Sequence, residues 1–483
     1  MSMPRHTVNN WDDPAGLNPA GMLGAGMFAG FSLQDFQDLQ KALEAGHPDP
    51  TYSGGGAGWP LITQSIEGSL TYATATEEHA RLWRFLPKDP KRLTSTVHEF
   101  SSITGLGPDV DFAMPEGAAG PLIEADLTRS SKYVRFMSHK REISDPMNLL
   151  SNLVGGSPAI EQMNQWASTW MVLQLENSLF NGDSSIHPYS IDGLSKLTRD
   201  INHVSDLRGA PLDSDEVYKS LVRLINPPNY GHPTDLWISI DTKADFARIG
   251  GSHVKFDIPP NMAGNQQFRM GIEPTGIISP LGDTVNFQTS IFLAAKGGPA
   301  ATAIGETAPT LPVITTTTAV DADSLFGSAD YGTYGYKITA CGPKGKSAPC
   351  APIAVVVDAA ANEVTHTIAA PGTDNILYYT IYRTKKGGTE YFEIGKIRQT
   401  RNGSGVVQDT VFVDTNETLP DTMWAYAIEN TPKVWQWKQL LDFARVALAR
   451  NEFKQPFGFC LYGLLICYLP IRLWGFKNIG RAT

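Results

Sequence analysis

The chain has 483 residues, which exceeds the size at which a single hydrophobic core usually keeps growing, so two or more domains are expected. Hydrophobic residues at 42% can fill several cores, and the 45 Gly and 33 Pro predict many turns, loops and arms. The formal net charge of −10 argues against a general nucleic-acid binder, which would need a basic surface to neutralise phosphates.

The amino-terminal part, residues 1–60, is Gly-rich and irregular, and it is broken by one candidate helix over 32–45 with Ser32 as its N-cap. We interpret it as an N-terminal arm. Its apolar positions would be wasted in solvent, so the arm is expected to lie across a neighbouring subunit. A disordered tail is the alternative that this composition allows.

Residues 61–145 form a polar ribbon, punctuated by glycines, that is predicted to extend away from a body and return. The ribbon turns over a Gly- and Pro-rich tip at residues 105–121. A ribbon that buries so little against its own chain needs neighbours. This pattern favours a protein that assembles with copies of itself over an enzyme.

The descending part of the ribbon carries five cations within one strand-length segment, which runs from Arg129 and contains no acid until Glu142. We predict that these cations contact an acidic surface of a neighbouring subunit. Solvation of an exposed strand is the alternative, since charge also discourages edge pairing. The predicted contact residues are Arg129, Lys132, Arg135, Lys140 and Arg141.

The next segment predicts a long helix over 157–181. Ser157 can cap its free backbone donors, Pro158 suits the first helical position, and Gly182 supplies a stop. Its length is about 35 Å at a rise of 1.5 Å per residue. The Met and Trp stripe on this helix is more typical of core packing than of a cofactor site.

A segment of mixed helices and strands follows, and after it the sequence pattern changes. The expected elements are helices over 214–225 and 243–249, strands over 236–240 and 285–294, and a Pro/Thr-rich linker over 307–318. Short strands with Gly-rich turns then predict a small β-sandwich inserted over 308–420. Its strands are expected at 331–340, 353–357, 376–383, 391–397 and 411–415.

After the insertion, the sequence pattern again resembles that of the segment before it, and the main domain is expected to close here. Residues 435–448 place Trp437, Leu440, Leu441 and Ala444 at helical spacing and predict a helix. The apolar run 457–471 falls short of the ~20 residues needed to cross a membrane, so buried strands and no membrane contact are expected.

Four cysteines are too few for a secreted scaffold of this length held by disulfides. The spacings from Cys341 to Cys350 and from Cys460 to Cys467 match no zinc signature. Reduced thiols in a cytoplasm are predicted, with a disulfide between Cys341 and Cys350 as the alternative. The amino terminus lacks the apolar core of a secretory signal.

No catalytic, cofactor or metal site is predicted, so the chain is not expected to be an enzyme. It has no G-x-S-x-G, H-E-x-x-H, Walker or G-x-G-x-x-G motif in the required context. Two carboxylates without further ligands make a weak cation signal. The acid and histidine pairs attributed to chance adjacency are His98-Glu99, Glu77-Glu78-His79, Asp109-x-Asp111 and Asp321-x-Asp323.

The order of several weak motifs resembles that of major capsid proteins of tailed bacteriophages, whose fold is named after phage Hong Kong 97. The resemblance covers roughly residues 55–300 and 421–483. Its motifs are Ser65-Ile66-Glu67, TSTVHEF, Glu116-Gly117, LENSLFNGD, Asp192-Gly193-Leu194, Asp206-LRG, GHPTDLWIS and KNIG.

This resemblance implies an α+β fold with named parts and an all-β insertion. The insertion is similar to a fibronectin type III or immunoglobulin-like module whose strands occur in permuted order, through YGYKITACGPKGKSAP and YYTIYRTKKGGTEYFEIGKI. The implied parts are the N-terminal arm at 1–60, the start of the peripheral domain at 61–89, the E-loop at 90–145, the peripheral domain at 146–199 with its spine helix at 157–181, the axial domain at 200–307, the insertion at 308–420, and the return to both domains at 421–483.

The same resemblance implies hexamers and pentamers that close into an icosahedral head around double-stranded DNA. Scaffolding, portal and minor capsid or decoration proteins are the implied partners, and assembly in the host cytoplasm is the implied route to the virion. The insertion is expected to contact glycans or a host surface weakly, with decoration or lattice stiffening as the alternative. A tail or baseplate protein is the alternative function, and a carbohydrate-active enzyme lacks a candidate carboxylate pair.

Overall fold

The structure is a computed structural model that describes residues 75–108, 110, 113–116, 119–120, 122–153, 159–250, 274–372, 376–450 and 452–482. The predicted N-terminal arm, its helix over 32–45, and the predicted cap Ser157 with Pro158 lie outside the described residues.

Six α-helices occur in the described part of the chain. They are α1 Arg81–Phe85, α2 Asp145–Leu153, α3 Ala159–Asn181, α4 Leu194–Asp200, α5 Ser214–Ile225 and α6 Ile240–Gly250. The long predicted helix is confirmed as α3, which ends before Gly182, where a Cβ would overlap the Ser178 carbonyl. None of the described helices is long and apolar enough to cross a membrane.

Local capping signals set the bounds of several elements. The predicted helix over 214–225 is confirmed, and Asp213 caps it by accepting the Glu216 N–H at 2.8 Å. Helix α6 begins three residues before the predicted 243 because the Ser239 hydroxyl accepts the Thr242 N–H at 3.0 Å. The strand predicted over 285–294 ends at Thr289, since Ser290 caps a 3-10 turn over Ile291–Leu293.

A six-stranded mixed sheet forms the centre of the body. Its strands are β4 Val204–Asp206, β5 Asp235–Ile238, β6 Gly276–Ile278, β7 Thr284–Thr289, β17 Met423–Ile428 and β20 Leu473–Ile479, in the order β4-β20-β17-β5-β7-β6. The pairs β20/β4 and β5/β7 are parallel. Apolar side chains of α5 and α6 pack on this sheet, which buries Leu221, Phe246 and Phe476.

A second sheet, long and three-stranded, packs against α3. It contains β3 Arg135–Ser144, β18 Trp435–Ala447 and β19 Lys454–Cys467, in the order β18-β19-β3. The shared core includes Met171 and Leu175 of α3 together with Trp437 and Leu461 of the sheet. The apolar run over 457–471 is therefore largely a buried strand, as predicted.

The helix predicted over 435–448 is wrong, because this segment is strand β18. Its apolar spacing suits a helix, but β19 pairs antiparallel with ten of the thirteen residues of β18, from Trp435↔Cys467 to Ala447↔Phe457. The Trp437 N–H also donates to the Pro87 carbonyl at 2.8 Å. Pairing with chain segments distant in sequence thus overrides the local helical pattern.

The ribbon is an antiparallel pair of strands, β1 Val97–Gly105 and β2 Asp126–Tyr133, which we call the extended arm. Its descending part is two strands, not one. Val134 separates them, and its side chain is buried. Beyond Val134, β3 leaves the arm and pairs with β19 of the body. The segment that the sequence pattern treats as one basic strand therefore divides between arm and body.

The insertion is a sandwich of two sheets over one core. Its strands are β9 Ile314–Ala319, β10 Gly332–Cys341, β11 Gly345–Lys346, β12 Ile353–Val357, β13 Glu363–Ile368, β14 Tyr378–Thr384, β15 Tyr391–Arg398 and β16 Thr410–Asp414, and they are joined by β8 Ile304–Gly305, which precedes the predicted start of the insertion at 308 and pairs with β11. One sheet has the order β15-β14-β10-β11-β8 with β12 on β10, and the other has the order β16-β13-β9. Tyr336, Val364 and Ile381 meet in the shared core.

One prediction about the insertion needs correction, and one alternative is settled. The end of the predicted linker over 307–318 is strand β9, because Ile314 and the four threonines that follow it pair with β13, a strand that the sequence pattern did not reveal. The four cysteines are free thiols, as predicted, and the alternative disulfide between Cys341 and Cys350 is not formed. Cys350 instead accepts the Ile338 N–H at 3.2 Å.

Candidate assembly surfaces

The extended arm has two different faces. On the inner face, Phe100 packs edge to face on Tyr468 with ring centroids 5.1 Å apart, and this contact holds the arm's root against the body. On the outer face, Ile103 lies opposite Leu127, and their side chains are 56% and 70% exposed. A residue skipped in the register between Ile103 and Gly105 marks a bulge near the tip.

The tip of the arm exposes large apolar side chains to solvent. Leu106 is 84% exposed and Leu122 is 89% exposed. A two-stranded ribbon is only marginally stable alone in water, and contiguous exposed apolar patches usually mark interaction sites. The arm therefore has the properties of a surface that a partner covers.

Three of the five predicted contact residues have partners within the chain. Arg129 forms an ion pair with Glu99 across the arm. The Lys132 amine donates to Asp192 Oδ2 at 2.8 Å, and Arg135 Nη1 donates to the Pro188 carbonyl at 2.7 Å. These last two contacts tie the root of the arm to the loop that follows α3.

The other two residues lie in β3, on the body rather than on the arm. The Lys140 amine is 3.8 Å from Glu142, a distance at which an exposed pair contributes little. Arg141 is half-buried beside His139, and burial together with this guanidinium lowers the pKa of His139. The five residues are thus distributed over two sheets and do not form one patch.

Helix α3 holds helix α1, which precedes the extended arm in sequence, through a buried carboxylate. Glu176 has no exposed surface, and it accepts the N–H groups of Leu82 at 2.8 Å and Trp83 at 2.7 Å. These donors open helix α1, whose own N-cap position provides no side-chain acceptor. Burial raises the pKa of Glu176 to about 7. The two N–H groups favour the charged carboxylate and so lower the pKa, but the effect of burial is larger.

Sequence reasoning missed Glu176. The available signal was its place in α3, directly after Leu175 and between Met171 and Leu179, all of which are buried. A glutamate among such positions is expected to have a specific partner. Nothing in the local sequence identifies α1, 93 residues away, as that partner.

A polar junction fixes the insertion on the body. Asn478, fully buried at a left-handed φ of 56°, donates to Asp206 Oδ1 and to the Glu417 carbonyl, both at 2.8 Å, and accepts the Leu419 N–H at 2.9 Å. Arg208 donates to the Asn416 carbonyl at 2.6 Å. The exit of the insertion is therefore a hydrogen-bonded element rather than a linker.

A cavity of about 560 Å³ lies between α3, β3 and the insertion. Trp170, Gln174, His139, Tyr378 and Lys396 are among its lining residues. This set contains no nucleophile with an adjacent base and no pair of carboxylates. No group of three or more His, Cys, Asp or Glu residues that could hold a metal occurs in the described part of the chain.

The acid and histidine pairs noted in the sequence have structural contacts. His79 Nδ1 accepts the Thr76 N–H at 3.1 Å, His98 stacks on Phe100, and Asp321 Oδ1 accepts the Asp323 N–H at 3.0 Å. Asp109 and Asp111 lie outside the described residues. The described pairs serve as turn caps and ring contacts.

Curated relatives match nearly the whole chain, although no protein-family model matches it. The major capsid protein of Staphylococcus phage S25-3 is 23% identical over 459 residues, which cover 92% of this chain and 95% of the relative. The major capsid protein of Staphylococcus phage K gives the same identity and the same coverage.

Among solved structures, the capsid asymmetric unit of cyanophage A-1(L) covers 87% of this chain and 98% of its own, with 9% identity and a TM-score of 0.45. Similarity of that degree carries no argument about this chain. The match to the curated relatives covers more than nine tenths of this chain. On the similarity to these curated relatives, the chain is a major capsid protein of a phage head.

Proposed function

We propose that copies of this chain form hexamers and pentamers that close into an icosahedral head around the double-stranded DNA of a tailed phage, with a fold of the Hong Kong 97 type. The observation that carries the proposal is the extended arm, which projects exposed Leu106, Leu122 and Leu127 away from its own body. Covering these side chains on a neighbour removes apolar surface from water, worth roughly 25 cal/mol per Å².

The body supplies a stiff frame for such an arm. Helix α3 and the sheet β18-β19-β3 share one core, which suits the spine helix and peripheral domain of this fold. The sheet β4-β20-β17-β5-β7-β6 with α5 and α6 suits the axial domain. In this arrangement the E-loop is the arm itself, and β3 belongs to the peripheral domain.

Among the basic residues, Lys140 and Arg141 are the ones we assign to contacts between subunits. They lie on β3, whose edge is not covered by another strand in the described part of the chain. Arg129, Lys132 and Arg135 instead orient the arm from within the chain. Reversal of Lys140 and Arg141 to Glu should impair shell formation, and reversal of Lys132 and Arg135 should loosen the arm.

For the insertion, we assign an immunoglobulin-like module that faces outward from the head and holds a fixed direction through Asn478 and Arg208. Packaged DNA would compete for the same volume on the inner side. Repeated modules on one particle give avidity, so weak contacts with glycans or a host surface would add up. Scaffolding, portal and decoration proteins are further partners, and the host cytoplasm is the compartment of assembly.

Electron microscopy of the expressed full-length chain, with and without a scaffolding partner, tests the main proposal. Closed shells are the expected result, and a variant with residues 98–132 replaced by a short Gly/Ser turn should remain a soluble, folded monomer. A wild-type chain that stays monomeric under all scaffolded conditions would contradict the proposal.

The insertion is tested in the same assay. Replacement of residues 308–415 by a Gly/Ser linker keeps the hydrogen bonds of Arg208 and Asn478 to the exit segment. Shells without surface knobs are expected. Loss of shells would place the insertion among the lattice contacts.

A further inference from the structure

Charge is segregated along the chain at the arm. Twelve residues at its root, 81–92, contain five cations and a single acid, Asp89. The following 36 residues, 93–128, contain six acids and no Lys or Arg. The cations of the first stretch, which we call the basic segment, are Arg81, Arg84, Lys88, Lys91 and Arg92.

The basic segment is presented on the surface in a fixed geometry. All five cations are exposed. Arg81 Nη1 donates to Thr289 at 2.8 Å, Arg84 Nη2 donates to the Glu77 carbonyl at 3.1 Å, and the Lys88 amine lies 4.0 Å from the ring centroid of Trp83. None of these three contacts is with a carboxylate. Asp442 lies close enough to Lys88 to interact with its charge, and Asp89 pairs with Lys438 of the body, so the five cations outnumber the acids beside them.

The far end of the arm carries the opposite charge together with apolar surface. Glu116 and Glu124 are exposed in the segment between β1 and β2, which also exposes Leu106 and Leu122. We call these four residues the acidic tip. Phe85, which is 49% exposed, gives the basic segment an apolar patch of its own. The two surfaces therefore match in charge and share an apolar component.

The acidic tip cannot reach the basic segment of its own chain. Strand β1 has nine residues, which at about 3.4 Å per residue put the tip roughly 30 Å from its root. Attraction over that distance is largely screened at physiological salt, where the Debye length is about 8 Å. Only a second copy can bring the two surfaces into contact.

We propose that the acidic tip of one copy docks on the basic segment of a neighbouring copy. This docking rests on the proposed function and names the partner surface of the arm. The contact is head to tail, joining different surfaces of two identical chains, and such contacts close into rings when the rotation between copies permits. Complementary charge would act mainly on the rate and register of assembly, since steering changes association rates by about 10- to 1,000-fold.

A charge-swap series in the full-length chain tests the docking under conditions in which the wild type forms shells. Lys91→Glu with Arg92→Glu reverses part of the basic segment, and Glu116→Lys with Glu124→Lys reverses the tip. Each pair alone should slow shell formation at least about tenfold in light scattering at low salt. The combined four-residue variant should recover to within about threefold of the wild type.

Lys344→Glu with Lys346→Glu is the matched control, because these exposed lysines make the same charge change on the insertion. It should assemble at the wild-type rate. Single-sided variants that assemble normally, or a combined variant no faster than the slower pair, would overturn the docking and leave the proposed function intact. A wild-type chain that never forms shells would contradict both the docking and the proposed function.

A chemical cross-link gives an independent measurement. A carbodiimide joins a carboxylate to an amine at contact distance, so assembled particles should yield a peptide linking Glu116 or Glu124 to Lys88 or Lys91. In particles assembled from a mixture of isotopically light and heavy chains, some cross-linked peptide pairs should contain one light and one heavy peptide. Such pairs demonstrate that the contact joins two different chains. Links from the tip to other lysines only would contradict the proposal.

Discussion

Replacement of Glu176 tests whether a buried carboxylate holds the root of the arm. Because burial raises its pKa from an ordinary 4.5 to about 7, the folded state binds a proton more tightly than the unfolded chain. The resulting stabilisation is fully present below about pH 4.5 and is lost as the pH rises through about 7. Each tenfold change in the proton-dissociation constant is worth about 1.4 kcal/mol, so the loss is about 3 kcal/mol.

Glu176→Gln removes this pH dependence while keeping one oxygen acceptor. Relative to the wild type, the free energy of unfolding of the variant should rise by about 3 kcal/mol between pH 5 and pH 8, because only the wild-type carboxyl becomes charged. A constant cost of about 1–3 kcal/mol is expected at every pH, because the amide nitrogen of Gln cannot accept the second N–H. Glu176→Ala leaves the N–H groups of Leu82 and Trp83 without an acceptor, which costs about 1–3 kcal/mol for each group even at low pH. The two variants therefore separate the charge from the hydrogen bonds.

Urea denaturation of the unassembled chain, followed by tryptophan fluorescence from pH 4.5 to 8, measures both effects. Glu161→Gln is the matched control because Glu161 is exposed in the first turn of the same helix. Its stability curve should run parallel to that of the wild type. A Glu176→Gln curve that is also parallel across this range would refute the burial argument.

Three further substitutions follow from the packing. Asn478→Ala removes two donated bonds and one accepted bond at the junction with the insertion, so the free energy of unfolding should fall by about 2–4 kcal/mol in urea denaturation, and no loss would contradict the role of the junction. In Gly463→Ala, the new Cβ would overlap the Trp437 ring and approach the Lys438 carbonyl to 2.9 Å; a loss of about 1–3 kcal/mol is expected, whereas Gly458→Ala, whose nearest neighbour is 3.5 Å away, should change stability by less than about 0.5 kcal/mol. Leu127→Ser should leave the melting temperature of the monomer unchanged and reduce shell yield in sedimentation, since this side chain is 70% exposed on the arm; unchanged yield would place it outside the contact.

Elements with complete local signals were predictable from sequence. Helix α5 carries its cap, Asp213, and an apolar stripe in the same twelve residues, and its predicted bounds are confirmed. Helix α3 and strands such as β10 and β14 likewise follow from periodicity within one segment. In these cases the preferences of neighbouring residues agree with the tertiary environment.

Predictions were wrong where the deciding partner is distant in sequence. Strand β18 has helical apolar spacing, and its pairing with β19 decides its conformation. The sequence of strand β9 predicts a linker, and the segment is a strand because β13 provides its hydrogen-bonding partners. For the basic residues, composition indicated charge on a ribbon, but the division at Val134 places Arg129 on the arm and Lys140 on the body.

The sequence by itself determined the extended arm, the long helix behind it, the all-β insertion and the charge contrast between residues 81–92 and 93–128, because each is a property of contiguous residues. The tertiary structure alone decided which of those charges remain exposed and which are paired. It also decided that Glu176 caps α1 and that Asn478 fixes the insertion, because both contacts join segments that are adjacent only after the chain has folded. Local preference acts over a few residues, whereas the acceptors and donors of buried polar groups come from wherever the chain packs.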